Sequence, residues 1–318
     1  MRLVTYYPWE EEKEVLLKGY ILDASEQIQA GLQRPAILIC PGGAYLRISD
    51  QEAEVVALRF AGYGYHAFVL HYSVGRTCSM ERVLTEAARS MAYIRSNAKE
   101  WNLDPGKIAV CGFSAGGHLC ASLSTRWELA AQITGILPAE IRPDAVILGY
   151  PVTDLTIPLP PLPLAAFSEE NADPKCPEKS VLPAFQSCIF KDGEEWSIRL
   201  GRGMCQALLG EPEPEEKRLH EESPCNYITA NTPPTYLWAT CNDEMVSPGN
   251  SLQYAAGLMA HGVPVEFHLF MEGPHGLSLS DATSAPDPAY VNPACGQWVP
   301  MVRTWLEKVW NKNKPYKE

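Results

Sequence analysis

Long apolar runs are missing from this sequence. Nothing in its 318 residues approaches the roughly eighteen consecutive apolar positions that a membrane-spanning helix needs. Positive charge is also scarce: Lys+Arg is 26 against 38 Asp+Glu, a formal charge of −12. That balance repels phosphate backbones and anionic lipid, so neither nucleic acid nor a membrane surface is an expected partner. There is no C-x-x-C and no Cys/His cluster at zinc spacing, so no metal site is expected. The N-terminus reaches E-E-E-K at 10–13 before an apolar secretory segment could form, which predicts a cytoplasmic protein. In that compartment the ten cysteines should remain thiols. Cys40, Cys111, Cys120 and Cys241 sit in or beside apolar runs and are expected to act as small core residues. No internal repeat is visible.

What is present suits a globular chain, with 46% hydrophobic and 20% charged residues. Apolar runs at 15–22, 36–40, 66–72, 107–111, 144–150, 235–240 and 265–270 read as strands. Between them lie stretches of helical period at 52–61, 80–100, 115–130, 250–261 and 297–310. In the second of these, Val83, Leu84, Ala87, Ala88, Met91 and Ile94 mark one face. Short buried strands alternating with helices predict an α/β fold with a mostly parallel central sheet flanked by helices. The first strand precedes any helix and should pair antiparallel at one edge. The rhythm breaks at about 156–234, which holds P-L-P-P-L-P at 158–163, a charged run at 211–218 and no clear strand. A structureless loop that long does not fit a compact domain. The reading is one domain, 1–318, carrying a cap or lid insertion at 156–234 with short helices near 203–209 and 214–222.

The sharpest chemical signal is G-F-S-A-G at 112–116, after an apolar strand and before a helical stretch. This is the context of a nucleophile elbow, in which glycines permit a tight turn and Ser114 projects at the carboxyl end of the strand. A serine hydroxyl needs a histidine base. His66 and His71 flank a strand, His118 lies on the helix behind Ser114, and His220 falls in a charged run. His261 ends a helix and His268 alternates inside a strand, which leaves His275 in the loop E-G-P-H-G-L just past a strand. The acid that orients it is expected at Asp243, after the strand T-Y-L-W-A-T, with Glu244, Asp281 and Glu272 as alternatives. Oxyanion donors are expected from the backbone of Gly43 and Ala44 in C-P-G-G-A-Y, and from Ala115. Tyr45 and Trp196 are placed in the substrate pocket. Phe185 and Phe190 are further aromatics that could wall it.

P-G-G-A-Y, N-L-D-P-G-K-I-A-V-C-G-F-S-A-G-G-H-L, P-P-T-Y-L-W-A-T-C-N-D-E-M-V-S-P and V-P-V-E-F-H-L-F-M-E-G-P-H-G-L occur in that order. Together they resemble the α/β-hydrolase esterase/lipase family, most of all its acetylesterases and acetyl-xylan-esterase-like carbohydrate esterases. The resemblance covers most of 15–310. It implies an α/β-hydrolase fold with Ser114 as nucleophile, Asp243 as acid and His275 as base, and with Gly43, Ala44 and Ala115 as oxyanion donors. It implies hydrolysis of short acyl esters, with an O-acetyl group on a sugar or xylo-oligosaccharide as substrate and no cofactor. A homo-oligomer is compatible with it. Related esterases usually carry a third glycine where Ala44 stands, so the backbone there must accommodate a Cβ. Two other readings share this core: a peptidase of the prolyl-oligopeptidase type, and a non-catalytic hydrolase fold that binds a ligand or partner.

Overall fold

Strands that are apolar on both faces need helices above and below them. The computed structural model describes residues 1–25, 27–28, 31–167, 177–192 and 195–311. Its main sheet contains β1 (Arg2–Tyr6), β2 (Leu16–Ile21), β3 (Arg34–Cys40), β4 (His66–His71), β5 (Leu103–Phe113) and β6 (Ala145–Gly149). The strands β7 (Leu162–Pro163), β8 (Ile189–Asp192) and β9 (Glu195–Ile198) form a separate small sheet, after which β10 (Thr235–Thr240) and β11 (Val265–Phe270) return to the main one. The main sheet has the order β1-β2-β4-β3-β5-β6-β10-β11. β2 pairs antiparallel with β1 and β4, and every pairing from β4 onward is parallel.

The helices are α1 (Glu54–Gly62), α2 (Met80–Ser96), α3 (Ala98–Trp101), α4 (Ser114–Thr134), α5 (Pro138–Ile141), α6 (Leu200–Leu209), α7 (Glu216–Glu221), α8 (Gly249–Ala260) and α9 (Trp298–Asn311). The two-residue period of the strands divides the core between the sheet faces. Leu38, Val110 and Val146 pack with Leu84 and Met91 of α2 and Leu119 of α4. Ile37, Ile39, Cys111 and Ile147 pack on the opposite face with Phe60 of α1 and Val302 and Leu306 of α9. The predicted apolar stripe of α2 is fully buried. Its N-terminus is capped by the Ser79 side chain, which accepts the Arg82 amide at 3.3 Å. The fold is the α/β-hydrolase architecture that the motifs implied.

Four readings are corrected. The sheet edge is β1, so the 15–22 run is the second strand. β1 was missed because its residues are half-buried or exposed and carry no core pattern. The 80–100 helix divides into α2 and α3 at Asn97, whose side chain turns back to the Tyr93 carbonyl at 2.8 Å. The insertion contains strands after all, but β7, β8 and β9 are only two to four residues long, too short to show a period. Cys241 is exposed, unlike Cys40, Cys111 and Cys120, because β10 ends just before it. The helices expected near 203–209 and 214–222 are α6 and α7. Residues 168–176 and 193–194 of the insertion lie outside the described residues.

Candidate active site

The nucleophile elbow is a steric consequence of two glycines. A Cβ on Gly112 would collide with the Gly116 carbonyl, and one on Gly116 with the carbonyls of Cys40 and Pro41. With both absent, the first turn of α4 lies directly against the ends of β3 and β5. Ser114 sits between strand and helix with φ of +51°, in the left-handed region that a non-glycine residue occupies at a cost of about 1 kcal/mol or more.

His275 reaches Ser114 from the loop after β11, and Asp243 reaches His275 from the loop after β10. His275 Nδ1 lies 2.7 Å from Asp243 Oδ2, and His275 Nε2 lies 2.9 Å from Ser114 Oγ. The other oxygen of Asp243 accepts the amides of Met245 at 2.9 Å and Val246 at 2.8 Å. Every bond to this carboxylate arrives from a donor, which places a proton on His275 Nδ1. That tautomer leaves Nε2 as acceptor for the Ser114 hydroxyl. Burial alone would lower the His275 pKa. The Asp243 charge and hydrogen bond, aided by the charge of Glu52, outweigh it and hold the imidazole above its ordinary value.

Ser114 and His275 open on a cleft of about 290 Å³, with Asp243 buried behind the imidazole. Gly43, Ala44 and Ala115 line it beside Ser114. Ala115 belongs to the first turn of α4, whose amides lack intrahelical acceptors. Gly43 has φ of +122°, a conformation for glycine only, and a Cβ there would strike the Arg47 carbonyl. Ala44 follows at φ of +55°, so the backbone does carry a Cβ here, in the left-handed region. The far wall is apolar and comes largely from the insertion: Leu159, Phe167, Leu182, Phe185, Leu200 and Met204. A second cleft of about 790 Å³ adjoins the first and shares Met245, His275 and Tyr290 with it. Its other lining includes Asn242, Glu244, Glu272 and Asn292.

Two expected pocket residues lie elsewhere. Tyr45 is fully buried, its hydroxyl 2.8 Å from His118 Nδ1. His118 Nε2 donates to the Glu222 carbonyl at 2.9 Å, so Tyr45 donates to Nδ1 and anchors the loop that carries Gly43 and Ala44. Trp196 lies on β9, with Lys191 4.8 Å above its ring, and is not part of the lining of either cleft. Phe190 stacks with Arg199 instead. Among the alternatives to Asp243, Asp281 pairs with Arg59 at 2.7 Å, and Glu244 and Glu272 line the second cleft.

The sequence reading passed over Glu52. Its carboxylate is 3% exposed, accepts the Gly42 amide at 2.7 Å and accepts the Tyr150 hydroxyl at 2.6 Å. The Tyr150 ring is set edge-on to His275 at 4.9 Å.

Known proteins share this arrangement of chain. Endo-1,4-beta-xylanase B of Butyrivibrio fibrisolvens is 29% identical over 79% of the chain, which spans 33% of that protein. The acetylxylan esterase of Xylanibacter ruminicola is 26% identical over 77% of the chain, which spans 41% of it. The matched part is therefore less than half the length of either relative. Two solved structures align almost end to end. A sugar hydrolase from Lactococcus lactis is 29% identical with a TM-score of 0.69, covering 98% of this chain and 99% of its own. The acetyl ester-xyloside bifunctional hydrolase of Caldicellulosiruptor lactoaceticus is 29% identical with a TM-score of 0.68, covering 96% of each. The BD-FAE family model matches residues 22–182, which contain the elbow, the glycine loop and about the first third of the insertion. With half the chain matched and the fold shared throughout, this protein belongs to the BD-FAE family of α/β-hydrolases.

Proposed function

We propose that this chain is a serine carboxylic ester hydrolase that removes short acyl groups, O-acetyl above all, from sugars or xylo-oligosaccharides through an acyl-enzyme. The observation that carries this reading is the hydrogen-bonded series Ser114–His275–Asp243 at the floor of a cleft also lined by Gly43, Ala44 and Ala115. Ser114 Oγ attacks the ester carbonyl as His275 Nε2 takes its proton, and Asp243 stabilises the imidazolium. The amides of Gly43, Ala44 and Ala115 hold the tetrahedral oxyanion. Its collapse breaks the ester C–O bond, and the alcohol leaves with the proton from His275. Water activated by His275 then repeats the addition on the acyl-enzyme, releasing the acid and free Ser114. These steps use no metal or cofactor.

The cleft with the insertion wall suits the acyl group, and the adjoining cleft, where Asn242, Glu244, Glu272 and Asn292 offer hydrogen-bonding groups, suits the alcohol. The names of the relatives, a xylanase, an acetylxylan esterase and an acetyl ester-xyloside hydrolase, support a saccharide alcohol. The test is a panel of p-nitrophenyl esters from acetyl to octanoyl, run beside acetylated xylo-oligosaccharides. Acetyl esters are expected to exceed octanoyl esters in kcat/KM by at least about tenfold, or ~1.4 kcal/mol, with acetate released from the oligosaccharides. Equal turnover across the ladder, with no acetate released, would overturn the substrate class.

A further inference from the structure

A carboxylate withdrawn from water beside a catalytic histidine needs a reason, because burying a charge is costly unless it is matched by donors. Glu52 has two matched donors, and each belongs to a different part of the site. Its Oε2 accepts the amide of Gly42, which precedes the Gly43–Ala44 loop. The fit is close: a Cβ on Gly42 would lie 2.8 Å from Glu52 Oε2 and 3.0 Å from the Ser114 Cβ. Its Oε1 accepts the hydroxyl of Tyr150, which in turn accepts the amide of Ser278 at 2.9 Å. Ser278 lies three residues beyond His275. The neighbouring Gln51 adds two more ties to the same loop. Its side chain donates to the Gly276 carbonyl at 2.7 Å, and its own carbonyl accepts the Ser278 hydroxyl at 2.5 Å.

We propose that Glu52 is a positioning residue that locks the glycine loop and the His275 loop to each other through Gly42 on one side and Tyr150–Ser278 on the other. The proposal rests on the reading of Ser114 and His275 as nucleophile and base. Its physical content is that the oxyanion donors and the base stand on separate loops, yet must meet one substrate carbonyl with sub-ångström accuracy. A single carboxylate bonded to both loops fixes their separation before substrate arrives. The same negative charge lies near the imidazole, where it favours the imidazolium formed in the transition state. The ionisable groups around His275 are Asp243 from the loop after β10, Tyr150 from the end of β6, Tyr290 from the shared cleft wall, Glu52 itself, Arg47 across the first cleft, and Glu244 and Glu272 in the second. Of these, Asp243 and Glu52 are the two whose charges raise the affinity of His275 for its proton.

Glutamine cannot replace this carboxylate without loss, since one end of its amide is a donor and both partners of Glu52 are donors. Glu52→Gln is therefore expected to lower kcat for p-nitrophenyl acetate by roughly 10–100-fold with KM within about threefold. The acid limb of its kcat/KM profile should also move to lower pH, because one negative charge near His275 is gone. Tyr150→Phe keeps the charge but cuts the tie to Ser278. It should lower kcat about fivefold and leave the limb in place. A kcat within twofold of the parent for Tyr150→Phe overturns the proposal, whether or not the Glu52→Gln protein folds. So does a folded Glu52→Gln protein whose loss falls on KM with its limb unmoved. Ser114→Ala measured alongside separates the two readings: if it stays active, the nucleophile is wrong, whereas an inactive Ser114→Ala beside a normal Tyr150→Phe refutes the role of Glu52 alone.

Discussion

In the proposed mechanism Ser114 carries the chemistry at a strained backbone position, and its two smallest substitutions separate the two. Ser114→Ala and Ser114→Gly should each lower kcat by roughly 10⁴–10⁶. At φ of +51° only the glycine relieves the backbone, so chemical denaturation should find Ser114→Gly more stable than Ser114→Ala by about 1 kcal/mol. Equal stabilities would show that the turn stores no such strain. Asp243 and His275 make a second residue-scale prediction. Because Asp243 outweighs burial and holds the His275 pKa up, kcat/KM should rise with pH through a limb above the ordinary histidine value of about 6.5. Asp243→Asn should lower kcat by roughly 10²–10⁴ and move that limb down. A parent limb at or below pH 6 would contradict the electrostatic account. The sequence exposed Ser114, Asp243 and His275 because each follows a strand within a distinctive loop. It concealed Glu52 because a glutamate at the start of the helical stretch 52–61 is ordinary on an exposed first turn, whereas here the side chain turns inward and is buried.

At the scale of elements, residues of the 156–234 segment supply much of the apolar wall of the cleft, and under the proposed function they choose the acyl group. The segment's prolines and short strands leave no period to read, so the sequence could mark it as an interruption but could not say which aromatic faces the site. Trp196 and Phe190 pair with cations of the small sheet and its flank, and Phe185 lines the cleft, where it packs at a tilt against Phe167 with 4.7 Å between ring centres. Phe185→Ala should enlarge the acyl end, so the acetyl-to-octanoyl ratio of kcat/KM is expected to fall at least about threefold, read with the same p-nitrophenyl esters. An unchanged ratio in a folded variant would remove the insertion from acyl selection. The elbow and the glycine loop were legible for the opposite reason. Backbone approaches that only glycine allows leave Gly43, Gly112 and Gly116 standing in the sequence as a pattern.

Across the whole molecule, the parallel core was legible because its strands are buried on both faces, whereas the exposed edge strand β1 gave no such signal. The same burial sets the response to acid. His66 and His118 are held neutral in the core, each with its pKa lowered by burial to about 4. A depressed histidine gives full stability while the unfolded chain is also neutral. That stability is lost as pH falls from about 6.5 toward 4, by up to ~3 kcal/mol for His118. His275, whose pKa is raised, acts in the other direction: its contribution is complete below about 6.5 and fades as pH rises through its folded value. Urea midpoints should therefore decline between pH 6.5 and 5, before most carboxylates titrate, and a flat stability curve there would contradict the buried neutral histidines. The most direct measurement of the central claim is covalent labelling with diisopropyl fluorophosphate, followed by peptide mapping. The account predicts one label per chain, on Ser114, with esterase activity lost in proportion and no label in His275→Ala on the same time scale. Full inactivation with the label on another residue, or esterase activity that survives complete labelling of Ser114, would contradict it.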